Sequence, residues 1–229
     1  MRKPVVRIVL VLSVLTLAGI VALAAAGHHG IVTSQDGRMA IATHGASHVT
    51  PSNDPSIAGL TTIAGNLSKY PFGTYFCCYG YTISGPQSFL GTAYWIAIPF
   101  TPATTMTAKK IEVSVGWGGS GPNGVTLSLN SDASGLPGPA IASVDATNLQ
   151  DYGLCCQLVS AGGGAGVTVN AGTQYWVVVS TDASTATTFD AWAFNSTDMR
   201  SYAFASYNST SGVWGASEGL LPGYAVLGQ

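Results

Sequence analysis

Carboxylates are the side chains of this sequence that could most readily catalyse a reaction, because a glycoside hydrolase holds two of them on either side of one glycosidic bond. Several of those after residue 70 stand beside Ser, Thr or Gly, in positions typical of turns, where Asp bonds to nearby backbone groups. The candidates are Glu112, Asp132, Asp145, Asp151, Asp182, Asp190, Asp198 and Glu218. We expect structural roles for them and no catalytic residue. A small carboxylate-based glycoside hydrolase is the catalytic alternative that the sequence leaves open.

Asp190 differs from the other acidic residues because it lies within an apolar run. On a strand, side chains alternate between two faces, so Asp190 shares a face with Trp192 and Phe194. The sequence therefore predicts either a ligand contact or an inner carboxylate whose oxygens are hydrogen-bonded.

The chain after residue 70 lacks the residues that histidine-based and metal-based catalysis would need. All four histidines precede residue 49: His28, His29, His44 and His48. Without a histidine after residue 70, neither a Ser-His-Asp nor a Cys-His arrangement has its usual base. Residues 130–135 are similar to the start of an EF-hand loop, but Ile141 stands where the bidentate Glu belongs, which favours a turn. We predict no metal site and no cofactor.

Aromatic residues with polar neighbours could bind a ligand without catalysis, since sugar rings stack on exposed Trp and Tyr side chains. The candidate ligand-binding residues are Trp192, Trp214, Tyr202, Tyr207 and Asp190. Three further tryptophans lie in apolar surroundings that predict core positions: Trp95, Trp117 and Trp176. The partner of such a surface would be an extracellular polysaccharide or a cell-surface component.

Four cysteines occur as two adjacent pairs, Cys77 with Cys78 and Cys155 with Cys156. Four cysteines allow three disulfide connectivities. A link between sequence neighbours closes a strained ring outside normal disulfide geometry. We therefore predict that disulfides join one pair to the other, and which cysteine bonds to which stays open. A zinc site is disfavoured because adjacent cysteines lack the spacer that lets both thiolates reach one ion.

The N-terminus predicts an export signal, which agrees with disulfide formation. Three basic residues precede an apolar run over residues 8–26 that ends in small residues with A-x-A sequences. We interpret residues 1–27 as a signal peptide and expect a secreted, extracellular protein. The alternative is an uncleaved N-terminal membrane anchor, because the run could just span a bilayer.

Charge argues against nucleic acid as a partner. Only 8% of the residues are charged, against about a quarter in typical globular domains. Without residues 1–27, five basic and ten acidic residues remain, so the net charge is −5. The basic footprint that nucleic-acid binding requires is therefore missing.

Apolar periodicity predicts the fold. Residues 28–69 are rich in small polar residues and predict a loosely ordered linker. Alternation predicts a strand over residues 110–117 that forms an antiparallel pair with residues 125–130, and residues 175–179, apolar on both faces, predict a central strand. No segment after the signal peptide keeps helical spacing for twelve residues. We predict nine or ten strands in an all-β, antiparallel, jelly-roll-like β-sandwich over residues 70–229.

Several short motifs resemble a known family. They are TYFCC at 74–78, TISG at 82–85, VTLSLN at 125–130 leading to SGLPG at 134–138, AGTQYWVV at 171–178 and AVLG at 225–228. In order and spacing they resemble bacterial choice-of-anchor R domain proteins over about residues 70–229. The resemblance implies a secreted β-sandwich domain of bacterial surface or exported proteins, often beside a sorting signal, and no catalytic residue. The sequence ends without such a signal, so we expect a released protein or one retained by its N-terminal run.

These observations predict an exported, non-catalytic β-sandwich protein with a structural, surface or adhesive role. The alternative is a carbohydrate-binding module that stacks sugars on exposed Trp and Tyr side chains.

Overall fold

The structure is a computed structural model that describes residues 31–33, 38–41, 58–67, 75–151, 158–195, 198 and 200–229. Within them the chain forms fifteen β-strands and no α-helix. The strands are β1 (Ile31–Thr33), β2 (Arg38–Ile41), β3 (Thr61–Gly65), β4 (Tyr75–Ser84), β5 (Tyr94–Phe100), β6 (Met106–Val113), β7 (Val115–Ser120), β8 (Gly124–Asp132), β9 (Pro137–Thr147), β10 (Val159–Val169), β11 (Tyr175–Ser180), β12 (Phe189–Asn195), β13 (Ser201–Asn208), β14 (Val213–Leu220) and β15 (Tyr224–Gly228).

The strands form two antiparallel sheets that pack against each other. Sheet A has eleven strands, with the path β1-β2-β4-β5-β11-β8-β9; β12 pairs with β4 and β7, and β13 pairs with β5 and β14. Sheet B has four strands in the order β10-β6-β15-β3. The predicted all-β, antiparallel β-sandwich is confirmed.

The main core fills the space between the sheets. Its fully buried side chains come from both, and they include Ile83, Ile98, Leu127 and Val177 of sheet A with Val113 and Val226 of sheet B. The predicted central strand is confirmed as β11, which pairs with β5 and β8 and buries residues 175–179. Alternate residues of β5 divide between the two faces of sheet A, since Ile96 and Ile98 enter this core while Ala97 belongs to a cluster on the outer face.

The strand predicted over residues 110–117 is two strands in different sheets, and this part of the prediction is wrong. β6 ends at Val113 in sheet B, and β7 begins at Val115 in sheet A. Ser114 makes the crossing; its Oγ donates to the carbonyls of Ala193 and Gly223, at 2.8 and 3.2 Å. Val113 and Val115 are both buried, so the alternation continues through the crossing and hides it. β7 pairs with β12, and β8 pairs with β9 and β11, so the predicted pairing with residues 125–130 is wrong too.

The linker expected over residues 28–69 contains strands. β3 is paired with β15 in sheet B, and Thr61 Oγ1 donates to the carbonyl of Gly228, 167 residues further on. A strand of five residues is too short to show a period, and its distant partner supplies its hydrogen bonds. The sandwich therefore includes residues before position 70.

Two glycines permit close backbone contact with the 183–187 loop. A Cβ at Gly85 would overlap the carbonyl of Ala186, and one at Gly121, where φ is +73°, would overlap that of Thr187. Only glycine fits such positions. The chain contains 29 glycines among its 229 residues, and some of them thus serve tight packing between loops and strands.

In the described part of the chain, no helix has the length and apolar character needed to cross a membrane. The predicted signal peptide, residues 1–27, lies outside the described residues.

Candidate functional site

Three aromatic side chains form a row across the outer face of sheet A. Tyr207 of β13 stands directly opposite both Trp95 of β5 and Trp214 of β14. The ring centroids of Trp95 and Tyr207 are 4.2 Å apart with 13° between the planes, and those of Tyr207 and Trp214 are 5.7 Å apart at 58°. All three side chains are half-buried. We call these three residues the aromatic strip.

Small residues beside the aromatic strip leave space for its rings to pack against the sheet. Ala97 and Ala205 stand opposite each other, two positions along the strands from Trp95 and Tyr207, and both are fully buried. Trp214 packs against this cluster, which also contains Trp176 and Val178. Directly opposed aromatic pairs of this kind also stabilise a sheet.

The orientation of Trp95 is fixed by a hydrogen bond. Its Nε1 donates to Thr181 Oγ1 at 2.9 Å, and Thr181 is itself buried. An indole that is already held in place loses little side-chain entropy when a ligand binds. Trp95 and Tyr207 already cover one ring face of each other, so a ligand would contact the half-exposed remainder of the aromatic strip.

The rim of the aromatic strip carries hydroxyl and amide groups and one carboxylate. The β13–β14 turn follows Asn208, whose Oδ1 accepts from the backbone N–H of Thr210 at 2.7 Å. Ser211 Oγ in the same turn donates to the carbonyl of Asn208. At the other end, Asp182 follows Thr181, and hydrogen bonds led by that from Ser184 lower the pKa of this carboxyl. The groups around the aromatic strip suit an uncharged, hydroxyl-rich ligand.

Trp192 is a core residue, and its prediction as a stacking platform is wrong. Its exposed fraction is 0%, and its Nε1 donates to the carbonyl of Gly223 at 2.9 Å. β12 lies between β4 and β7, and all seven of its residues are buried. The polar neighbours that suggested exposure are buried as well, since Asp190 and Asn195 both have an exposed fraction of 0%.

Asp190 is an inner carboxylate, so the prediction of a ligand contact at this position is wrong. Its Oδ2 accepts from Thr188 Oγ1 at 3.2 Å, and the backbone of Gly118 also donates to the carboxyl group. Its Oδ1 is buried without a hydrogen-bond partner. Burial raises the pKa of Asp190 well above its ordinary value, and the bonds from Thr188 and Gly118 oppose this only in part.

Tyr202 lies apart from the aromatic strip. It is five positions from Tyr207 on β13, so the two side chains leave the strand on opposite faces. Its hydroxyl donates to the Asp198 carboxylate at 3.1 Å, and the Arg200 guanidinium lies 4.9 Å from its ring centroid. Arg200 Nε also donates to Asp198 Oδ1, at 2.8 Å. Tyr202 therefore belongs to a different site.

That second site is a cleft of about 360 Å³ at one end of the sandwich. Its walls come from both sheets, and they include Gly65, Pro99, Phe100, Leu221 and Tyr224. Asp198 is the single carboxylate among the described residues that line it. A glycoside hydrolase needs two, so this cleft does not support the catalytic alternative.

The segment similar to an EF-hand loop contains the predicted turn, at residues 133–136 between β8 and β9. Asp132 Oδ1 accepts from Gln174 Nε2 at 2.7 Å and from Trp176 Nε1 at 2.8 Å. Its Oδ2 accepts from the backbone N–H of Gly135 at 3.0 Å, and this bond contributes most to lowering the pKa of Asp132. The carboxylate thus anchors Trp176 and closes the turn.

The predicted disulfides remain predictions. Cys77 and Cys78 lie in β4, whereas Cys155 and Cys156 fall outside the described residues. No group of three or more His, Cys, Asp or Glu residues suited to a metal ion occurs in the part of the chain that the structure describes.

Of the five candidate binding residues, the structure thus brings Tyr207 and Trp214 together on one surface and adds Trp95 to them. Trp95 lies in an apolar run that predicts a core position for it, whereas its side chain is half-buried on the outer face of sheet A. The pairing of β13 with β5 is the missing information, and no local pattern contains it.

Comparisons of the chain with family models, with curated proteins and with solved structures found no match.

Proposed function

We propose that this chain is an exported, non-catalytic β-sandwich protein with a surface or adhesive role, and that the aromatic strip makes its contact with a neutral polysaccharide. The observation that carries the proposal is the alignment of Trp95, Tyr207 and Trp214 on three neighbouring strands. The three rings are half-buried, and Trp95 is held by its hydrogen bond to Thr181, so a sugar can contact the aromatic strip without having to order that side chain.

Export is supported by the features of residues 1–27, and a surface role agrees with the resemblance to choice-of-anchor R domain proteins. The charge of the chain supports a neutral ligand. Five basic residues against ten acidic ones after residue 27 repel an acidic polymer at low salt. The hydroxyl and amide groups on the rim, together with the Asp182 carboxylate, can hydrogen-bond to sugar hydroxyls.

Affinity electrophoresis of the signal-free protein tests this function. Gels would contain hydroxyethylcellulose, xyloglucan, galactomannan or laminarin as neutral polymers, and alginate as the acidic one. We expect at least one neutral polymer, and not alginate, to retard the protein. Trp214→Ala should weaken the retardation about tenfold, because it removes a stacking ring.

The matched control is Val213→Ala, which changes an exposed residue that neighbours Trp214 on the opposite face of β14. It should bind like the wild type. No retardation by any neutral polymer, or equal retardation of wild type and Trp214→Ala, would reject the proposal. The aromatic strip would then act only in stabilising the sheet, and the variant would lower stability alone.

A further inference from the structure

An apolar slot opens between the two sheets at the edge formed by β9 and β10. It has a volume of about 190 Å³. Leu127 and Leu129 of sheet A line one side, and Ile111 and Ala161 of sheet B line the other. These leucines belong to the inner core, so the slot and the aromatic strip lie on opposite faces of sheet A.

The slot stays open because small side chains stand where a closed sandwich would have large ones. Among the described strands β9 pairs with β8 alone and lies at an edge of sheet A. It sets Ala142 opposite Leu129 and Val144 opposite Leu127. Ala142 is exposed and Val144 is half-buried, although both share the inward face of the strand. Protein interiors are normally close-packed. Leu127 and Leu129 have exposed fractions of 0% and 2%, so the slot ends against these side chains and opens on the side of Ala142 and Val144.

A bulge in β10 forms part of the rim. Gly162 pairs with Lys110 and Val167 pairs with Ala108, so a five-residue step on β10 spans a two-residue step on β6. The bulge depends on Gly162 and Gly166, whose φ angles are +127° and +78°. A Cβ at Gly166 would lie 2.5 Å from the carbonyl oxygen of Ala108. The sequence thus maintains an irregular strand beside the slot.

Lys109 fixes the bulge and places a positive charge at the rim. Its Nζ donates to the carbonyls of Gly164 and Ala165, at 3.2 and 2.6 Å. An ammonium has three donors, so the group can also donate to a ligand. The described residues that line the slot include Lys110 and no acidic residue. The charge at this rim favours an anionic head group.

We propose that this slot binds a medium-chain fatty carboxylate, with the alkyl chain between the sheets and the carboxylate at Lys109. The lining residues of β6 run from Ala108 to Ile111, a length of about 10 Å. Apolar cavities of about 150 Å³ stay dry and take up benzene, so a space of about 190 Å³ with an apolar lining has room for part of an alkyl chain. A fatty carboxylate fits this site because its alkyl chain matches the apolar interior and its carboxylate matches the cationic rim.

Titration of the signal-free protein with a dansylated undecanoic acid probe tests the proposal. We expect a saturable rise in dansyl fluorescence. Decanoate should displace the probe at lower concentration than decanol, and decyltrimethylammonium should displace it least. Ala142→Leu should weaken probe binding at least tenfold, because the larger side chain fills the slot.

Ala140→Leu is the matched control, since Ala140 is an exposed alanine of β9 that does not line the slot. It should bind the probe like the wild type. Circular dichroism shows whether Ala142→Leu folds. If it does not, Ala161→Leu takes its place, because it fills the slot from sheet B. Absence of probe binding, or unchanged binding in the folded filling variant, would overturn the proposal. Equal displacement by decanoate and decyltrimethylammonium would overturn the role of Lys109.

Sedimentation with phosphatidylglycerol vesicles separates a free fatty acid from a membrane lipid. The proposal predicts no cosedimentation above the level seen with Ala142→Leu. Cosedimentation that requires an open slot, without binding of the free probe, would assign the slot to membrane lipid and contradict it.

Discussion

Trp192→Ala is expected to lower the free energy of unfolding by about 3–5 kcal/mol, the usual cost of truncating a buried tryptophan. Trp192 is fully buried between the sheets, and its indole donates to the carbonyl of Gly223. Removal of the ring leaves a cavity in the core. Because β12 is paired with a strand on each side, its neighbours cannot easily move in to fill that cavity. Urea unfolding followed by circular dichroism measures the change, with the dependence on urea concentration expected to stay the same.

Trp214→Ala is the comparison that makes this result informative. Trp214 is half-buried on the outer face of sheet A, so its truncation should cost about 1–2 kcal/mol. If the two variants are destabilised equally, Trp192 is not the core residue described above. The same pair separates folding from binding, because only Trp214 belongs to the aromatic strip.

Asp190→Asn should make the protein more stable at pH 8 and should remove a pH dependence of stability. Burial raises the pKa of Asp190 in the folded protein above the ordinary value of 3.8. At pH values between the ordinary pKa and the raised pKa of the folded protein, the folded state holds a proton that the unfolded state has released. The free energy of unfolding therefore falls as pH rises through this range. Asn has no such ionisation, so the variant should gain about 1–3 kcal/mol over the wild type at pH 8.

Near pH 4 the difference between wild type and Asp190→Asn should shrink, because this pH is close to the ordinary pKa of 3.8 and the unfolded state then also holds part of the proton. Asp132→Asn provides a control of opposite sign. Its hydrogen bonds lower the pKa of Asp132 in the folded protein, so its contribution is present at neutral pH and is lost as pH falls. Urea unfolding at pH 4, 6 and 8 checks both. A wild-type advantage over Asp190→Asn that grows with pH would contradict this assignment.

Strong alternation or a fully apolar run was sufficient to predict several strands. β11 was recognisable because residues 175–179 are apolar on both faces, and β8 because Val125, Leu127 and Leu129 alternate with polar residues. β14 was not recognisable, since its side chains are mostly exposed and small, and it exists through its pairing with β13. The sheet crossing at Ser114 was hidden because a period of two continues on both sides of it.

The candidate site could be predicted only in part, for the same reason. Polar neighbours were a poor guide to exposure, because Asp190 and Asn195 are themselves buried beside Trp192. The spacing of Tyr202 and Tyr207 did contain usable information, since five positions on a strand place two side chains on opposite faces. The place of Trp95 beside Tyr207 depends on a strand pair that joins residues more than a hundred positions apart in the sequence.

Indole NMR spectroscopy tests the central claim most directly, since each of the five tryptophans has its own Nε1–H signal. The signal-free protein would be titrated with cellohexaose, xylohexaose and mannohexaose in turn. We expect at least one of them to shift the signals of Trp95 and Trp214 in a saturable way and to leave that of Trp192 unchanged. Absence of any shift in Trp95 and Trp214 with all three, or a shift confined to other tryptophans, would contradict it.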